Sequence, residues 1–245
     1  MNVVLLIPHP DDEIFALPLM KEFSQYKLIF ICLTDKNYKG RKGMNSVRSI
    51  EFANSIRILR DEGFNAEIFD FESANQIRDG HMYADFTRDF LIILEGHIND
   101  LNPKFIVAPA FEGGHQDHDT TAIISIYLAR RSKSKLIHFS TYRSSSRILP
   151  TFTTMNPISS ESRFKHDRLR TSILAIRLIR NYKSQFRSFV FLSVPIVIRY
   201  LANSWHSSSI SHQFATSTLL YERRSKAKSL DVINFTKRVL MNHDQ

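Results

Sequence analysis

Two short stretches of this chain bring imidazoles and carboxylates together. Residues 9–13 read His-Pro-Asp-Asp-Glu and follow an apolar run at 3–7, and residues 113–118 read Gly-Gly-His-Gln-Asp-His and follow an apolar run at 105–108. Neighbouring buried carboxylates repel one another unless protons or a cation compensate their charge. A divalent metal is the simplest compensation, because His and Asp bind zinc and a catalytic zinc uses three protein ligands and a water. The two stretches together therefore predict a catalytic metal site.

The residue pattern leaves two alternatives open at this site. His115 and His118 are three positions apart, so they would share one face in the first turn of a helix. Taken by itself, the His-Pro-Asp-Asp stretch is also typical of a turn followed by a helix N-cap. The pattern is equally compatible with Asp11 or Asp12 as the metal ligand.

Apolar runs that alternate with segments of helical period must position these motifs. The predicted strands are residues 3–7, 28–33, 68–71, 105–108 and 136–139, and the predicted helices are 14–23, 47–59, 86–101 and 118–130. This alternation predicts βαβ crossovers and an α/β fold, a Rossmann-like three-layer sandwich with a mainly parallel sheet. Ligands bind at the carboxyl ends of the strands in such sheets, which is where both motifs lie.

The C-terminal half reads as an addition to the same core. Residues 143–163 resemble a loop, and residues 165–187 and 230–240 have helical character. We predict a single domain over residues 1–245, with a catalytic core of about 1–140 and a helical C-terminal part of about 164–245. No Gly-x-Gly-x-x-Gly follows the first strand, which argues against a dinucleotide-dependent oxidoreductase.

Charge is distributed unevenly along the chain. Residues 1–125 hold 12 Lys/Arg and 19 Asp/Glu, a net −7, whereas residues 126–245 hold 21 and 5, a net +16. A basic half suits nucleic acid, an anionic membrane surface or a phosphorylated substrate, or it is simply a solvated surface. No nucleic-acid motif is present, so nucleic acid is not expected. The apolar run 189–198 beside this charge suggests a lipid-linked substrate and peripheral membrane contact, with a core helix as the alternative.

The N-terminus and the cysteine content bear on the compartment. The first apolar run is five residues long and has no basic segment before it, unlike a secretory signal. A single cysteine, Cys32, excludes an intrachain disulfide. The missing secretory signal and the lack of an apolar stretch of about 20 residues predict a cytoplasmic protein.

Further short matches accompany the two motifs. They are Arg48-Ser49-Ile50-Glu51 in a predicted helix, Asp79-Gly80 in a predicted turn and Pro103 ahead of a strand. With them, residues 2–130 resemble the PIG-L/LmbE-like family of zinc-dependent N-deacetylases. Residues 182–185 (Tyr-Lys-Ser-Gln) and Tyr221-Glu222 are similar to two later motifs of that family.

This resemblance implies roles for individual residues. It implies a zinc ion, or Fe²⁺ in its place, bound by His9, Asp12 and His118. It also implies Asp11 as the general base.

Around that metal set, the resemblance implies that His115, oriented by Asp117, supports the oxyanion or protonates the leaving amine. Arg48 and Asp79 become candidate substrate-binding residues, with a helix-surface ion pair and a turn as the respective alternatives.

The implied activity is removal of the N-acetyl group from an N-acetylglucosamine-like sugar, either a small molecule or a lipid-linked one. One alternative is a metal phosphoesterase, since His and Asp also bind the metals of phosphoryl transfer. Such enzymes commonly use two metals, and the sequence offers few spare ligands. The other alternative is a catalytically silent carbohydrate-binding protein. The presence of a suitable residue at every implied catalytic position argues against it.

Overall fold

The computed structural model describes residues 1–34, 45–141, 162–202 and 205–209. Most of the predicted loop at 143–163, the predicted helix at 230–240 and the Tyr221-Glu222 motif lie outside the described residues.

A seven-stranded sheet forms the centre of the fold. Its strands are β1 (Asn2–Ile7), β2 (Lys27–Cys32), β3 (Ala66–Ile68), β4 (Phe105–Pro109), β5 (Lys135–Phe139), β6 (Ser162–Lys165) and β7 (Trp205–Ser209). They lie in the order β3-β2-β1-β4-β5-β7-β6. The first five in this order are parallel, and β7 and β6 extend the sheet in antiparallel pairing.

Helices cover both faces of this sheet. They are α1 (Glu13–Glu22), α2 (Asn45–Asp61), α3 (Met82–Asp85), α4 (Arg88–Leu101), α5 (Gln116–Ser132), α6 (Arg168–Asn181) and α7 (Phe186–Ala202). One core cluster joins the sheet to α1, α2, α6 and α7, and a second joins it to α3, α4 and α5. Along β1, Val3, Leu5 and Ile7 face the first cluster, while Val4 and Leu6 face the second. The predicted three-layer α/β sandwich is confirmed, and burial on both faces explains why β1, β2 and β4 are almost continuously apolar.

The chain reverses its direction across the sheet between β1 and β4. From β1 it proceeds outward to β2 and β3, and it then returns to place β4 and β5 on the other side of β1. The loops that leave the carboxyl ends of two such neighbouring strands turn to opposite faces of the sheet, and a crevice lies between them. Both sequence motifs begin at this point.

Three predicted boundaries need correction. The third strand is Ala66–Ile68 and not 68–71, because the Phe69 N–H makes the last ladder bond, to the Phe30 carbonyl. The helix predicted at 86–101 begins at Arg88, because the Thr87 hydroxyl caps it by accepting from the Phe90 N–H, and α3 precedes it as a separate turn. The helical stretch predicted at 165–187 is α6, which ends at Asn181, and then the start of α7.

The C-terminal part contains strands as well as the predicted helices. Neither β6 (Ser-Arg-Phe-Lys) nor β7 (Trp-His-Ser-Ser-Ser) has the apolar content that marks the first five strands. The two pair with each other, and β6 forms the edge of the sheet. Among residues 1–34, 45–141, 162–202 and 205–209, none of the helices combines the length and apolar character of a membrane-spanning segment.

Candidate metal centre

The first motif forms a tight turn between β1 and α1. The Asp12 N–H donates to the His9 carbonyl at 3.3 Å, and the Ile14 N–H donates to the Asp11 carbonyl at 3.2 Å. Asp11 adopts a φ of +106°, in the region that favours glycine. Such a backbone costs an ordinary residue roughly 1–3 kcal/mol and persists only where the surroundings enforce it.

The second motif opens α5 directly behind the β4 strand. His115 is the N-cap residue, and Asp117 and His118 lie in the first turn and are buried. Asp119 stabilises the preceding loop by accepting from the N–H groups of Glu112 and Gly113 at 2.9 and 3.1 Å. Because α1 packs in the first core cluster and α5 in the second, the two motifs reach the crevice from opposite faces of the sheet.

Asp12 connects the two motifs. One carboxylate oxygen lies 3.2 Å from Nδ1 of His9, and the other lies 3.1 Å from Nε2 of His118. All three side chains are buried. The structure thus brings together the three residues that were predicted to bind the metal.

The second nitrogen of each imidazole is held by a different partner. Nε2 of His9 lies 2.9 Å from Asp117 and 3.2 Å from Asp79, and Nδ1 of His118 lies 3.0 Å from the Thr141 hydroxyl. Metal-binding histidines almost always donate their outer N–H to a carboxylate, a carbonyl or water, which fixes the ring and its tautomer. The nitrogens that remain, Nδ1 of His9 and Nε2 of His118, are the two that face Asp12.

Asp117 is engaged chiefly with His9. Its carboxylate also accepts from the N–H groups of Gly80 at 2.6 Å and Met82 at 3.1 Å. Towards His115 it offers its backbone N–H, which lies 3.2 Å from Nδ1 of that ring. Asp117 therefore contacts both His9 and His115, the first through its side chain and the second through its main chain.

His115 lies close enough to join a ligand set. Its ring centroid is 5.0 Å from that of His9 and 5.2 Å from that of His118. Ligand atoms of His9, His115 and His118 all lie within 4.8 Å of one another, and so do those of His9, Asp79, His115 and Asp117. Neither group includes Asp12, so these groups of donors differ from the predicted set of His9, Asp12 and His118.

The electrostatics of the cluster indicate a site for a cation. Burial alone would lower the pKa of His9, but Asp79, Asp117 and Asp12 outweigh it and raise that pKa well above its ordinary value. Burial and then the negative charge of Asp12 raise the pKa of Asp11. A divalent cation supplies the positive charge that such a group of carboxylates requires, so the residues present fit a metal.

Comparison with known proteins agrees with this geometry. The sequence model of one family, described as "PIG-L: GlcNAc-PI de-N-acetylase", matches residues 4–127, which is 124 of the 245 residues. The chain belongs to the PIG-L family. The predicted resemblance is thereby confirmed. The search of curated proteins gives no match.

Solved structures with this fold include PIG-L-type deacetylases and a hydratase. The N,N'-diacetylchitobiose deacetylase from Pyrococcus horikoshii is 16% identical, with a TM-score of 0.53 over 85% of this chain and 82% of that one. A deacetylase of the teicoplanin biosynthesis pathway is 12% identical, with a TM-score of 0.58 over 85% and 96%. GalB, the 4-carboxy-2-hydroxymuconate hydratase from Pseudomonas putida KT2440, is 14% identical, with a TM-score of 0.55 over 89% and 100%. At these identities the likeness is one of fold.

In this PIG-L protein, Arg48 and Asp79 lie inside the crevice. The Arg48 guanidinium is buried and donates to Asp79 at 3.0 Å and to the Pro10 carbonyl at 3.3 Å, and it lies 3.7 Å from Asp11. The alternative of a helix-surface pair with Glu51 is wrong, because the Glu51 carboxylate instead accepts from Ser184. Asp79 is a quarter exposed, so a ligand in the crevice can reach it.

The residues that hold the His118 ring were not among those predicted from the sequence. Thr141, which contacts the His118 ring, follows β5 directly, and Glu112 accepts from the Thr141 N–H at 2.7 Å and from the Ser140 hydroxyl at 2.5 Å. Burial raises the pKa of Glu112 to about 7 against these hydrogen bonds. The sequence does contain a signal for these residues. Ser140-Thr141 follows β5, the neighbour of β4, just as the two motifs follow β1 and β4, so its side chains were candidates for the same crevice.

Proposed function

We propose that this PIG-L protein is a metal-dependent hydrolase that removes the N-acetyl group from an N-acetylglucosamine-like sugar. One observation carries the proposal: Asp12 lies within 3.2 Å of a ring nitrogen from each motif while the outer nitrogen of each ring is held by a separate partner. That arrangement matches the donor set of a catalytic zinc site. Family membership supports the reaction class.

His9, Asp12 and His118 would hold the metal, which is zinc or Fe²⁺. When bound, the metal would polarise the amide carbonyl and bring the pKa of a coordinated water to about 7. Asp79 and Asp117 would remain outside this set and orient His9.

Asp11 is the proposed general base. It is adjacent to the ligand Asp12, and its side chain is partly exposed to the crevice. Burial and Asp12 raise the pKa of Asp11, and Arg48, 3.7 Å away, opposes that shift in favour of the ionised form that would accept a proton from the attacking water. A base in this position would then pass the proton towards the leaving amine.

His115 is the proposed partner of the developing oxyanion. Because its Nδ1 accepts the Asp117 N–H, the proton of the neutral ring lies on Nε2. Burial and the neighbouring rings of His9 and His118 lower the pKa of His115 to about 4. The ring would therefore donate a hydrogen bond as a neutral imidazole.

The substrate would be recognised by Arg48 and Asp79 at the edge of the crevice. The Arg48 guanidinium can donate hydrogen bonds to sugar hydroxyls, and the Asp79 carboxylate can accept hydrogen bonds from them. The proposal includes a lipid-linked or phosphorylated form of the sugar at an anionic surface. It is based on the net charge of +16 over residues 126–245, because a basic region is attracted to anionic groups. A cytoplasmic location and a single-domain organisation over residues 1–245 remain parts of the proposal.

The test is acetate release by purified, zinc-loaded protein. The panel contains N,N'-diacetylchitobiose, a nucleotide sugar, an inositol glycoside and a lipid-linked sugar, each N-acetylated, with chelator-treated protein as the first control. His118→Ala should abolish release, whereas His97→Ala should not, because His97 packs on Phe69 and Phe71 away from the crevice. Binding without acetate release would favour the carbohydrate-binding alternative, and phosphate release from a phosphorylated sugar would favour the phosphoesterase.

A further inference from the structure

The strained backbone of Asp11 is held by one neighbouring side chain. The Asp11 N–H donates to Oε2 of Glu13 at 2.9 Å, and Glu13 is fully buried. A residue at a φ of +106° needs such a restraint to keep its side chain in one direction. The direction of the Asp11 carboxylate therefore depends on where Glu13 lies.

Glu13 is itself fixed by two other helices. Its Oε1 accepts from the Ser55 hydroxyl of α2 at 2.5 Å and from the Tyr182 hydroxyl, at the end of α6, at 2.5 Å. Tyr182 is completely buried, as is Ser55. A single carboxylate thus connects the loop after β1 to two helices that contact it from the first core cluster.

Fold stability alone does not explain this arrangement. A buried carboxylate is costly to desolvate, and a well-packed apolar side chain would serve a core at least as well. What the carboxylate adds is a directional acceptor for the Asp11 N–H, held from behind by two donors. The connection leads from the proposed base, through Glu13, to the C-terminal half of the chain.

We propose that Glu13, Ser55 and Tyr182 are positioning residues that set the orientation of the Asp11 carboxylate for proton transfer. This inference rests on the proposed function, in which Asp11 is the base. It gives the Tyr-Lys-Ser-Gln motif at 182–185 a purpose in catalysis and not only in packing.

Tyr200 provides a matched control for Tyr182. It is also a buried tyrosine of the C-terminal half, and its hydroxyl donates to the Ile14 carbonyl of α1 at 2.5 Å without touching Glu13. Tyr182→Phe and Tyr200→Phe each remove one hydroxyl that bonds to the start of α1. Their effects on stability should be similar, and their effects on Asp11 should differ.

The kinetic test uses zinc-loaded protein and the N-acetylated sugar of the panel that is cleaved fastest. Tyr182→Phe should lower kcat roughly 10- to 100-fold, as for a misplaced catalytic group, and leave KM within about twofold. Its zinc content should stay equal to that of the wild type. Tyr200→Phe should keep the kcat of the wild type. Equal kcat values in the two variants, or a loss of kcat that follows a loss of zinc, would overturn the proposal.

Glu13 variants add a rescue experiment. In Glu13→Gln the amide oxygen can accept the Asp11 N–H while the amide N–H groups donate to the two hydroxyls. In Glu13→Ala nothing accepts the Asp11 N–H. Activity should therefore be substantially higher in Glu13→Gln than in Glu13→Ala, and the reverse order would contradict the role of the acceptor.

A measurement without substrate separates this inference from the proposed function. The backbone amide resonance of Asp11 should shift in Glu13→Ala and Tyr182→Phe and stay in place in Tyr200→Phe. If the wild type cleaves no acetylated sugar, the proposed function fails while the amide shifts still test the link from Tyr182 to Asp11. If the amide does not respond to either change, the link itself is refuted.

Discussion

Asp11 and Asp12 are neighbours in the chain, and their surroundings give them different chemistry. Asp12 lies between two imidazoles, and although burial opposes it, His118 and His9 lower its pKa. For Asp11, burial and the charge of Asp12 outweigh the positive charges of Arg48 and His9, and the pKa of Asp11 is raised. The contacts differ accordingly, because Asp12 contacts the rings of His9 and His118, whereas Asp11 lies 3.7 Å from the Arg48 guanidinium.

Substitution should separate the two carboxylates. Asp12→Asn removes a charged ligand, so zinc should bind more weakly and excess zinc should restore part of the activity. Asp11→Asn leaves the ligand set complete, so zinc should stay bound while kcat falls about 100- to 10,000-fold with little change in KM. Zinc content and kcat are measured on the same preparations, with His118→Ala as a reference for ligand loss. Loss of zinc from Asp11→Asn and retention by Asp12→Asn would mean that the roles are exchanged.

The outer contact of His118 permits a second residue-level prediction. Thr141→Val keeps the shape of the side chain and removes the hydroxyl 3.0 Å from Nδ1 of His118, so zinc affinity should fall roughly 10- to 100-fold. Thr171→Val is the control, because Thr171 makes the same type of contact, at 3.2 Å, with His166, which is not in the cluster. Competition with a fluorescent zinc chelator measures both. Equal zinc affinity in the two variants would show that the Thr141 contact does not support the site.

At the scale of elements, nearly continuous runs of apolar residues made β1, β2, β4 and β5 predictable. The sequences of β6 and β7 contain no such run, so these two strands were not predicted. Strands covered on both faces need apolar residues at every position, which is the pattern of β1 and β2. β7, which lies between β5 and β6, has a run of serines and carries no such pattern. The position of the crevice was predictable from the strand ends. The hydrogen bond between Tyr182 and Glu13 was not, because the two residues are 169 positions apart and only the packing of α6 brings them together.

Glu112 joins the loop after β4 to the end of β5, and its burial makes this junction sensitive to pH. Its folded-state pKa of about 7 lies above the ordinary 4.5, so the folded protein holds the proton more tightly than the unfolded chain. Stability from this group is therefore full below pH 4.5 and is lost as pH rises towards 7. At 1.36 kcal/mol per pKa unit the loss is about 3 kcal/mol.

Glu112→Gln cannot titrate and isolates this contribution. Urea unfolding of both proteins at pH 5 and pH 8, with chelator present, gives the free energy of unfolding of each. The stability of the wild type relative to Glu112→Gln should be lower at pH 8 than at pH 5 by about 2.5 kcal/mol, because a part of the full contribution is already lost at pH 5. A difference that is the same at both pH values would show that Glu112 has an ordinary pKa.

At the scale of the whole molecule, charge and exposed apolar surface coincide on α6 and α7. The two helices carry six arginines and no acidic residue. Both pack on the first core cluster, and each exposes a stripe at helical spacing on the side away from it. The stripes are Leu169, Ile173 and Ile176 on α6, and Val194, Ile198 and Leu201 on α7. Between 41% and 64% of each of these residues is exposed, and we infer that the two stripes form an interaction surface.

We propose an anionic membrane surface as the partner of this face. Arginines remain in excess there after Arg170 and Arg177 pair with Glu62, so two copies of the face would repel each other. We therefore expect the protein to sediment with vesicles of mixed phosphatidylcholine and phosphatidylglycerol, less so at high salt, and not with phosphatidylcholine alone. Ile198→Asp should abolish this binding, since it places a negative charge in the centre of the α7 stripe. Ile92→Asp is the matched control, because Ile92 is 52% exposed, close to the 58% of Ile198, and lies on α4 in the opposite helical layer. Equal sedimentation with both vesicle types, or equal binding by the two variants, would refute a membrane role for α6 and α7, and the basic half would then be a solvated surface.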